Sequence, residues 1–531
     1  MVLLQSIFLI KIKINMKEKL KQEIQVLVNK YKFGDFQGVL KKCSQLVKKF
    51  PKNDFIWNLT GLAFQQVRNN QSAITSFQNA IYANPNNISA KNNLAISYKN
   101  EKQFGKSKDI LNEILKENPK YINALVNLAN LQNETYFFNE ALENYKKALT
   151  INSNLPEIYL NISNILQVKN EMDEAKDYLY KSLKLNKNFT TADQNLSMLL
   201  NYSDEKNSTH YIEMQEKIKD PSLTDNNKTE LHFALGKSYE DKKDYENSFK
   251  HFQLGNNIKM KMNKSSMNKF KQQSNDIKKY FSNFDFKKFQ RADLGKNIFI
   301  LGLPRSGTTL LEKIISSHSK VGSVSEIGYV HDQINKNIII NNNIDTKLID
   351  KFINLDFNKE YLDLLKFYNI QKEFIIDKTL NNFWHIGFIK IFFPNSKIIH
   401  SFRNPKDNCL SIYKNLFMNS ETWLYSQEDI GEYYLIYNDL MKFWNEIFQD
   451  QIFNCKYEDL INNHEQNTKE LIKFCGLKWE DECLNHHKNK NPIKTLSINQ
   501  ANKPIYNTSI NSSKFYENKL DKLFSILDRL G

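Results

Sequence analysis

Gly302-Leu303-Pro304-Arg305-Ser306-Gly307-Thr308-Thr309 gathers two glycines, three hydroxyls and one arginine into a single short segment. That mixture suits an oxyanion. Glycines let backbone N–H groups close in on it, a following helix aims its N-terminus at it, and the hydroxyls of Ser306, Thr308 and Thr309 add donors. A nucleoside-triphosphate loop would carry lysine directly after the second glycine, where this chain has Thr308. Without that lysine, hydrolysis of ATP or GTP is disfavoured, and Arg305 fits a terminal phosphate or sulfate instead. A second anion site follows downstream in Arg403-Asn404-Pro405-Lys406-Asp407-Asn408-Cys409-Leu410-Ser411. Arg403 and Ser411 can converge on one anion. Two separated anion sites predict a nucleotide with phosphate at both ends.

The surrounding sequence says how these groups are held. Asn297–Leu303 is a short apolar run of the kind that forms a buried parallel strand, and the run after the loop, Leu310 to His318, reads as helix. Lys397–Ser401 reads as another buried strand, with Pro405 placed for the first turn of a helix. Open α/β sheets bind ligands at the carboxyl edge of their strands, which is where both segments lie.

A PRSGTT segment after one strand and an RNPxDxxxS segment after a later one resemble the two signatures of the sulfotransferase superfamily, whose donor is 3′-phosphoadenosine 5′-phosphosulfate (PAPS). The resemblance covers roughly residues 295–531. It implies that Arg305, Ser306, Gly307, Thr308 and Thr309 hold the 5′-phosphosulfate, that Arg403 and Ser411 hold the 3′-phosphate, and that no metal is needed. Within the superfamily the chain is most similar to the tyrosylprotein sulfotransferase branch and its bacterial relatives with repeats. In that branch a Glu base follows a His-Pro corner; here the corner is His318-Ser319, and Glu326 stands 21 residues beyond Arg305. The catalytic Lys of the branch resembles Lys378 in Asp377-Lys378-Thr379-Leu380, and its aromatic resembles Tyr457 in Tyr457-Glu458-Asp459-Leu460. The donor-closing segment is matched by Ser497 and Lys503-Pro504-Ile505-Tyr506. Its basic residue and Trp are replaced by Ser512 and Ser513, with Lys514 as the substitute cation.

The first half has a different grammar. Pro51, Pro85 and Pro119 fall 34 residues apart, and small residues keep the same period at Gly61, Ala95, Ala129, Ser163 and Ser197. A second small column (Ala73, Ser107, Ala141, Ala175) precedes a large one (Phe77, Leu111, Tyr145, Leu179) by four residues. Small residues let antiparallel helices approach closely, and hairpins that cannot bury an apolar face alone must stack. This pattern resembles the tetratricopeptide repeat over roughly 35–202, with an isolated unit recurring at Gly236, Ser248 and Phe252. The expected fold is an α-helical solenoid of tetratricopeptide repeats followed by an α/β, P-loop-like parallel-sheet sulfotransferase domain. Its expected boundaries are a doubtful leader at 1–15, repeats at 16–255 that turn irregular at 203–228, a helical linker at 256–294, and the sulfotransferase domain at 295–531.

Bulk properties narrow the partners. The formal charge of +15 is spread through a chain rich in Lys, Asn and Ile, and no block of like charge marks a nucleic-acid tail. Five scattered cysteines lack zinc-site spacing and fit a reducing compartment. Val2–Ile10 is apolar but too short for a bilayer span, and residues 1–15 read as an upstream mis-start. The expectation is a bacterial cytoplasmic PAPS-dependent sulfotransferase with Glu326 as general base and Lys378 and Arg305 on the transferring group. Tyr457, Ser497 and Lys514 join the nucleotide site. The acceptor is a hydroxyl, of protein tyrosine, glycan or another compound, and the array holds a protein partner. The alternatives are an inactive repeat adaptor and a P-loop nucleotide phosphotransferase.

Overall fold

The computed structural model describes residues 18–530 except 263–265, 290–295, 341–342, 345, 356, 418–420, 490, 492 and 496–497. The 1–15 leader and Ser497 therefore lie outside the described residues. The chain divides into two compact units, Met1–Ser153 and Asn154–Gly531, so the 34-residue period of the sequence runs across the division.

The first unit is built from helical hairpins, among them Asp54–Gln66 with Asn70–Ala83 and Ile88–Asn100 with Phe104–Glu117. Asn53, Asn69 and Asn87 cap helix N-termini, each side chain accepting from a backbone N–H of the first turn. The small columns work as expected. A Cβ on Gly61 would run into the Phe77 ring of the paired helix, and Phe77 also joins a cluster with Leu94 and Tyr98 of the next hairpin. One ring thus seals both its own hairpin and the neighbouring one.

In the second unit the hairpin Pro156–Val168 and Met172–Leu185 continues the pattern. The irregular stretch contains its own helix, Ser208–Lys217, which Met214 and Leu223 tie to Leu179, Leu196 and Leu235. His210 bridges the Tyr202 hydroxyl at 2.7 Å and the buried Asp193 at 3.2 Å. The described parts of 256–294 are built into the α/β body rather than strung before it. Asn256 donates to the Tyr413 carbonyl at 2.9 Å, and a Cβ on Gly387 would meet the Phe281 ring at 2.7 Å.

The sheet has five parallel strands: β1 (Lys296–Leu301), β2 (Val321–Ser323), β3 (Phe374–Asp377), β4 (Lys397–Phe402) and β5 (Ile452–Lys456). Their order is β2-β3-β1-β4-β5, which puts β1 in the centre. Ile298–Leu301 are fully buried, as a strand covered on both faces must be. Helix α1 (Thr308–Ser316) follows β1, and helix α2 (Pro405–Tyr413) follows β4. Leu311, Ile314 and Ile315 of α1 pack on Ile298, Ile300, Ile376 and Ile399 of the sheet. Because all five strands run parallel, all five carboxyl ends open on one edge.

Candidate functional site

The loop after β1 is fixed by close approach. Gly302 has φ 146°, and a Cβ there would collide with the Ser401 carbonyl oxygen of β4. Gly307 has φ 101°, and its Cβ would meet the Tyr457 ring at 2.7 Å. Between them Arg305 takes φ 67°, a left-handed conformation that is costly for a side chain of its size. Strand β4 and the second signature hold this loop in place: Ser401 Oγ donates to the Ser306 carbonyl at 2.8 Å, and Asn408 Nδ2 donates to the Pro304 carbonyl at 2.8 Å. Ser306 Oγ is left buried without a hydrogen-bond partner, next to a helix whose N-terminus has no side-chain cap. An orphaned hydroxyl beside uncapped N–H groups is the complement of a bound oxyanion.

Two arginines converge on this loop. Arg305 Nε donates to Ser411 Oγ at 3.2 Å and Nη2 donates to Gln500 Oε1 at 2.6 Å. Burial, together with the like charge of Arg403, pulls the Arg305 guanidinium down to about 10, against Tyr506 and Tyr457. Arg403 is buried, lies 5.1 Å from the Tyr457 ring centroid and donates to the Ser509 carbonyl, while its Nε has no hydrogen-bond partner. Tyr457 OH meets Ser509 Oγ at 2.9 Å. Asp407 lies 3.8 Å from Arg403 and accepts from the backbone N–H groups of Asn511 (2.7 Å) and Ser513 (2.8 Å). The C-terminal segment is thereby fastened over the arginines. The unpartnered Ser306 Oγ and Arg403 Nε suit a ligand rich in anionic oxygens, so these residues fit PAPS.

Farther along the edge lies a compact charge cluster. Lys378, directly after β3, is fully buried and paired with Glu326, whose side chain is 45% exposed. Its ammonium is 3.7 Å from Glu312 Oε2, a fully buried carboxylate on α1. Glu312 Oε1 accepts from Ser323 Oγ at 2.5 Å and Ser325 Oγ at 2.6 Å. Burial pulls the Lys378 pKa down, but Glu326 and Glu312 outweigh it and leave the group raised. Burial likewise raises the Glu312 carboxyl, opposed by Lys378 and the two serine hydroxyls. Ser325 has φ 48° and its carbonyl accepts from Lys378 N at 2.8 Å, which registers the segments after β2 and β3. At the His318-Ser319 corner, Ser319 N and Oγ both donate to Glu480 at 2.6 Å.

Most of the residues singled out in the sequence therefore share one edge. Each strand delivers one group just past its carboxyl end: Glu326 after β2, Lys378 after β3, the Arg305 loop after β1, Arg403 after β4 and Tyr457 after β5. Ser411 hydrogen-bonds Arg305, linking the two signatures directly. Thr308 and Thr309 are buried at the start of α1, where Thr309 Oγ1 meets Thr495 Oγ1 at 3.1 Å. Lys514 is exposed with its ammonium over the Phe515 ring, while Ser509 reaches Arg403 and Tyr457. Sequence reasoning missed Glu312, Asp407, Gln500 and Ser509. Only Asp407 left a signal, since it lies inside the second signature.

Comparison with known proteins agrees with this architecture. Residues 297–481 match the family model described as "Sulfotransferase family", and residues 156–189 match a tetratricopeptide repeat. An uncharacterized protein of Aquifex aeolicus (strain VF5) is 33% identical over 254 residues, covering 43% of this chain. The match spans about a third (32%) of that relative's length. Among solved structures, PilF of Pseudomonas aeruginosa is similar at 19% identity, covering 38% of this chain and 88% of its own, with a TM-score of 0.31. A tetratricopeptide protein of Thermus thermophilus is similar at 16% identity, covering 34% and 98%, with a TM-score of 0.29. The chain is thus a tetratricopeptide-repeat region followed by a C-terminal domain of the sulfotransferase family.

Proposed function

We propose that this protein transfers a sulfuryl group from PAPS to an acceptor hydroxyl, in the manner of the tyrosylprotein sulfotransferase branch. The observation that carries the reading is the alignment of one acid, one lysine and two arginines along consecutive carboxyl ends of one parallel sheet. When bound, PAPS supplies the sulfuryl group and leaves as adenosine 3′,5′-bisphosphate. Glu326, partly open to solvent, is the general base that accepts the acceptor's proton on its carboxylate. Lys378 and Arg305 set positive charge where negative charge builds, and the N-terminus of α1 with Ser306, Gly307, Thr308 and Thr309 adds donors. Arg403, Ser411 and Tyr457 hold the nucleotide.

A hydroxyl on a peptide, tyrosine foremost, is the acceptor this reading favours, and the repeat architecture, consistent with protein–protein interaction, offers a place for a protein partner. The described cysteines are all free and buried, in keeping with a bacterial cytoplasmic setting. No described helix is long and apolar enough to cross a membrane.

The test is calorimetric titration with adenosine 3′,5′-bisphosphate, followed by turnover of radiolabelled PAPS. Glu326→Gln should lower turnover by about 10²–10⁴-fold while nucleotide affinity stays within about twofold. No heat on adding the bisphosphate would remove the nucleotide site. Unchanged turnover in the variant would remove Glu326 as the base. Binding without any turnover would point to an adaptor.

A further inference from the structure

The cluster around Lys378 contains a carboxylate that the chemistry above does not use. Glu312 sits on the second turn of α1, fully buried, in an apolar run packed on the sheet. An isolated buried carboxylate is expensive, and a chain keeps one only where it is paired and hydrogen-bonded. Here the two oxygens have separate duties. Oε1 takes both serine hydroxyls, whereas Oε2 accepts no hydrogen bond and faces the Lys378 ammonium at 3.7 Å. Lys378 thus lies between two carboxylates. Glu326 is the nearer and the more exposed, and Glu312 is the farther and sealed.

We propose that Glu312 is a positioning residue that keeps Lys378 charged and in place while Glu326 takes up the acceptor's proton, an inference that rests on the sulfuryl-transfer reading. In that step the acceptor O–H breaks. Its proton goes to Glu326, its electron pair forms the new O–S bond, and the donor's bridging S–O bond breaks with its pair leaving on the phosphate. Once protonated, Glu326 no longer supports the ammonium. A fully buried lysine without a counter-charge tends to lose its proton. Glu312 supplies that counter-charge, and its two serine hydroxyls aim it and oppose the burial that raises its carboxyl. The ionisable groups acting on the pair are Glu326, from the segment after β2, and Lys313, the neighbour of Glu312 on α1, which burial lowers to about 8.

The variant to make in the full chain is Glu312→Gln, whose amide oxygen can still accept from Ser323 and Ser325. Sulfate release from labelled PAPS to water requires no identified acceptor and gives kcat and KM across pH. The expected result is an unchanged KM for PAPS and an alkaline limb of kcat moved down by about one to two pH units, because removing a negative charge beside Lys378 lowers its pKa. Above the wild-type limb that shift reads as a roughly ten- to hundredfold loss of rate. Glu312→Asp, which keeps the charge, should restore the limb. An alkaline limb identical in wild type and Glu312→Gln, with turnover intact, overturns the inference and leaves the transfer reading standing. A wild-type chain that binds no adenosine 3′,5′-bisphosphate, or releases no sulfate above background, overturns the transfer reading itself and the inference with it.

Discussion

Left-handed backbone occurs in both halves of the molecule, and it serves opposite ends. In the repeats, Arg68, Lys102, Tyr136 and Asn170 take φ of 59°, 57°, 67° and 64° at positions 34 residues apart. Each ends the first helix of a hairpin, where a left-handed residue turns the chain back. Four residue types fill the same place, so the turn asks first for a conformation and accepts different side chains. At the sheet edge, Gly302, Arg305, Gly307 and Ser325 are left-handed too, but each identity is tied to a neighbour. The glycines have no room for a Cβ, Arg305 reaches Ser411 and Gln500, and Ser325 holds Glu312. Strain tolerated by a scaffold is interchangeable, whereas strain at a site is specified residue by residue.

The severest way to break this comparison is Gly302→Ala. The new methyl would run into a backbone carbonyl of the central sheet, at a φ of 146° that alanine avoids. Backbone cannot yield as a flexible side chain can, so the cost should reach about 4 kcal/mol or more. Thermal unfolding should show the second unit melting much earlier, with bisphosphate binding lost and the first unit's transition unmoved. An unaltered melt would mean that the loop is not clamped against β4.

Acid should separate the two units next. All ten histidines of the chain lie beyond residue 153. Burial lowers His232, His251, His400 and His486 to about 4 and His385 well below its ordinary value. His400 is a clear instance, held between Asn454 Oδ1 at 2.7 Å and the Tyr437 hydroxyl. A histidine with a depressed folded pKa binds more protons unfolded than folded between about pH 6.5 and 4, so the folded state loses stability as pH falls through that window. One such group accounts for up to about 3 kcal/mol over it. Calorimetric scans between neutral pH and about pH 4.5 should therefore show the second unit's transition fall while the first unit's moves less. Transitions that fell in parallel would contradict histidine as the cause.

How far the sequence could be read follows the same division. The 34-residue columns exposed the hairpins because each position repeats its demand, and Gly61 under Phe77 is what that demand looks like in space. Arg305 and Arg403 were legible because each follows an apolar run that must be a strand, whereas Glu326, Lys378 and Tyr457 were legible only through the resemblance to the tyrosylprotein sulfotransferase branch. Glu312 was not, since a lone acid in the helical run Leu310–Ile315 reads as a solvated face until the helix is docked. Gln500 and Ser509 were hidden for another reason: they meet their arginines across 195 and 106 residues of chain. Lys514 stands as the proposed substitute for a missing cation of the nucleotide site, and its segment is fastened by backbone amides on Asp407 and a carbonyl on Arg403.

The finest test exchanges both kinds of strained residue for glycine. Arg68 is exposed at a repeat turn, and Arg305 sits at nearly the same φ in the anion loop. Glycine removes the left-handed penalty of about 1–2 kcal/mol at either place and gives part of it back as unfolded-state entropy. At Arg305 the relief is overridden in function. Losing charge-assisted hydrogen bonds to the nucleotide should weaken adenosine 3′,5′-bisphosphate by about a hundredfold, with the melting temperature of the free protein no lower. At Arg68 nothing opposes the relief, and Arg68→Gly should stabilise the first unit by about 0.5–1 kcal/mol, read as a small rise in its melting temperature with nucleotide affinity unchanged. The contrast fails if Arg68→Gly destabilises, for then the turn depends on that side chain. It fails equally if Arg305→Gly binds the bisphosphate as well as wild type, for then the strained arginine in the loop would be as interchangeable as the residues of the repeat turns.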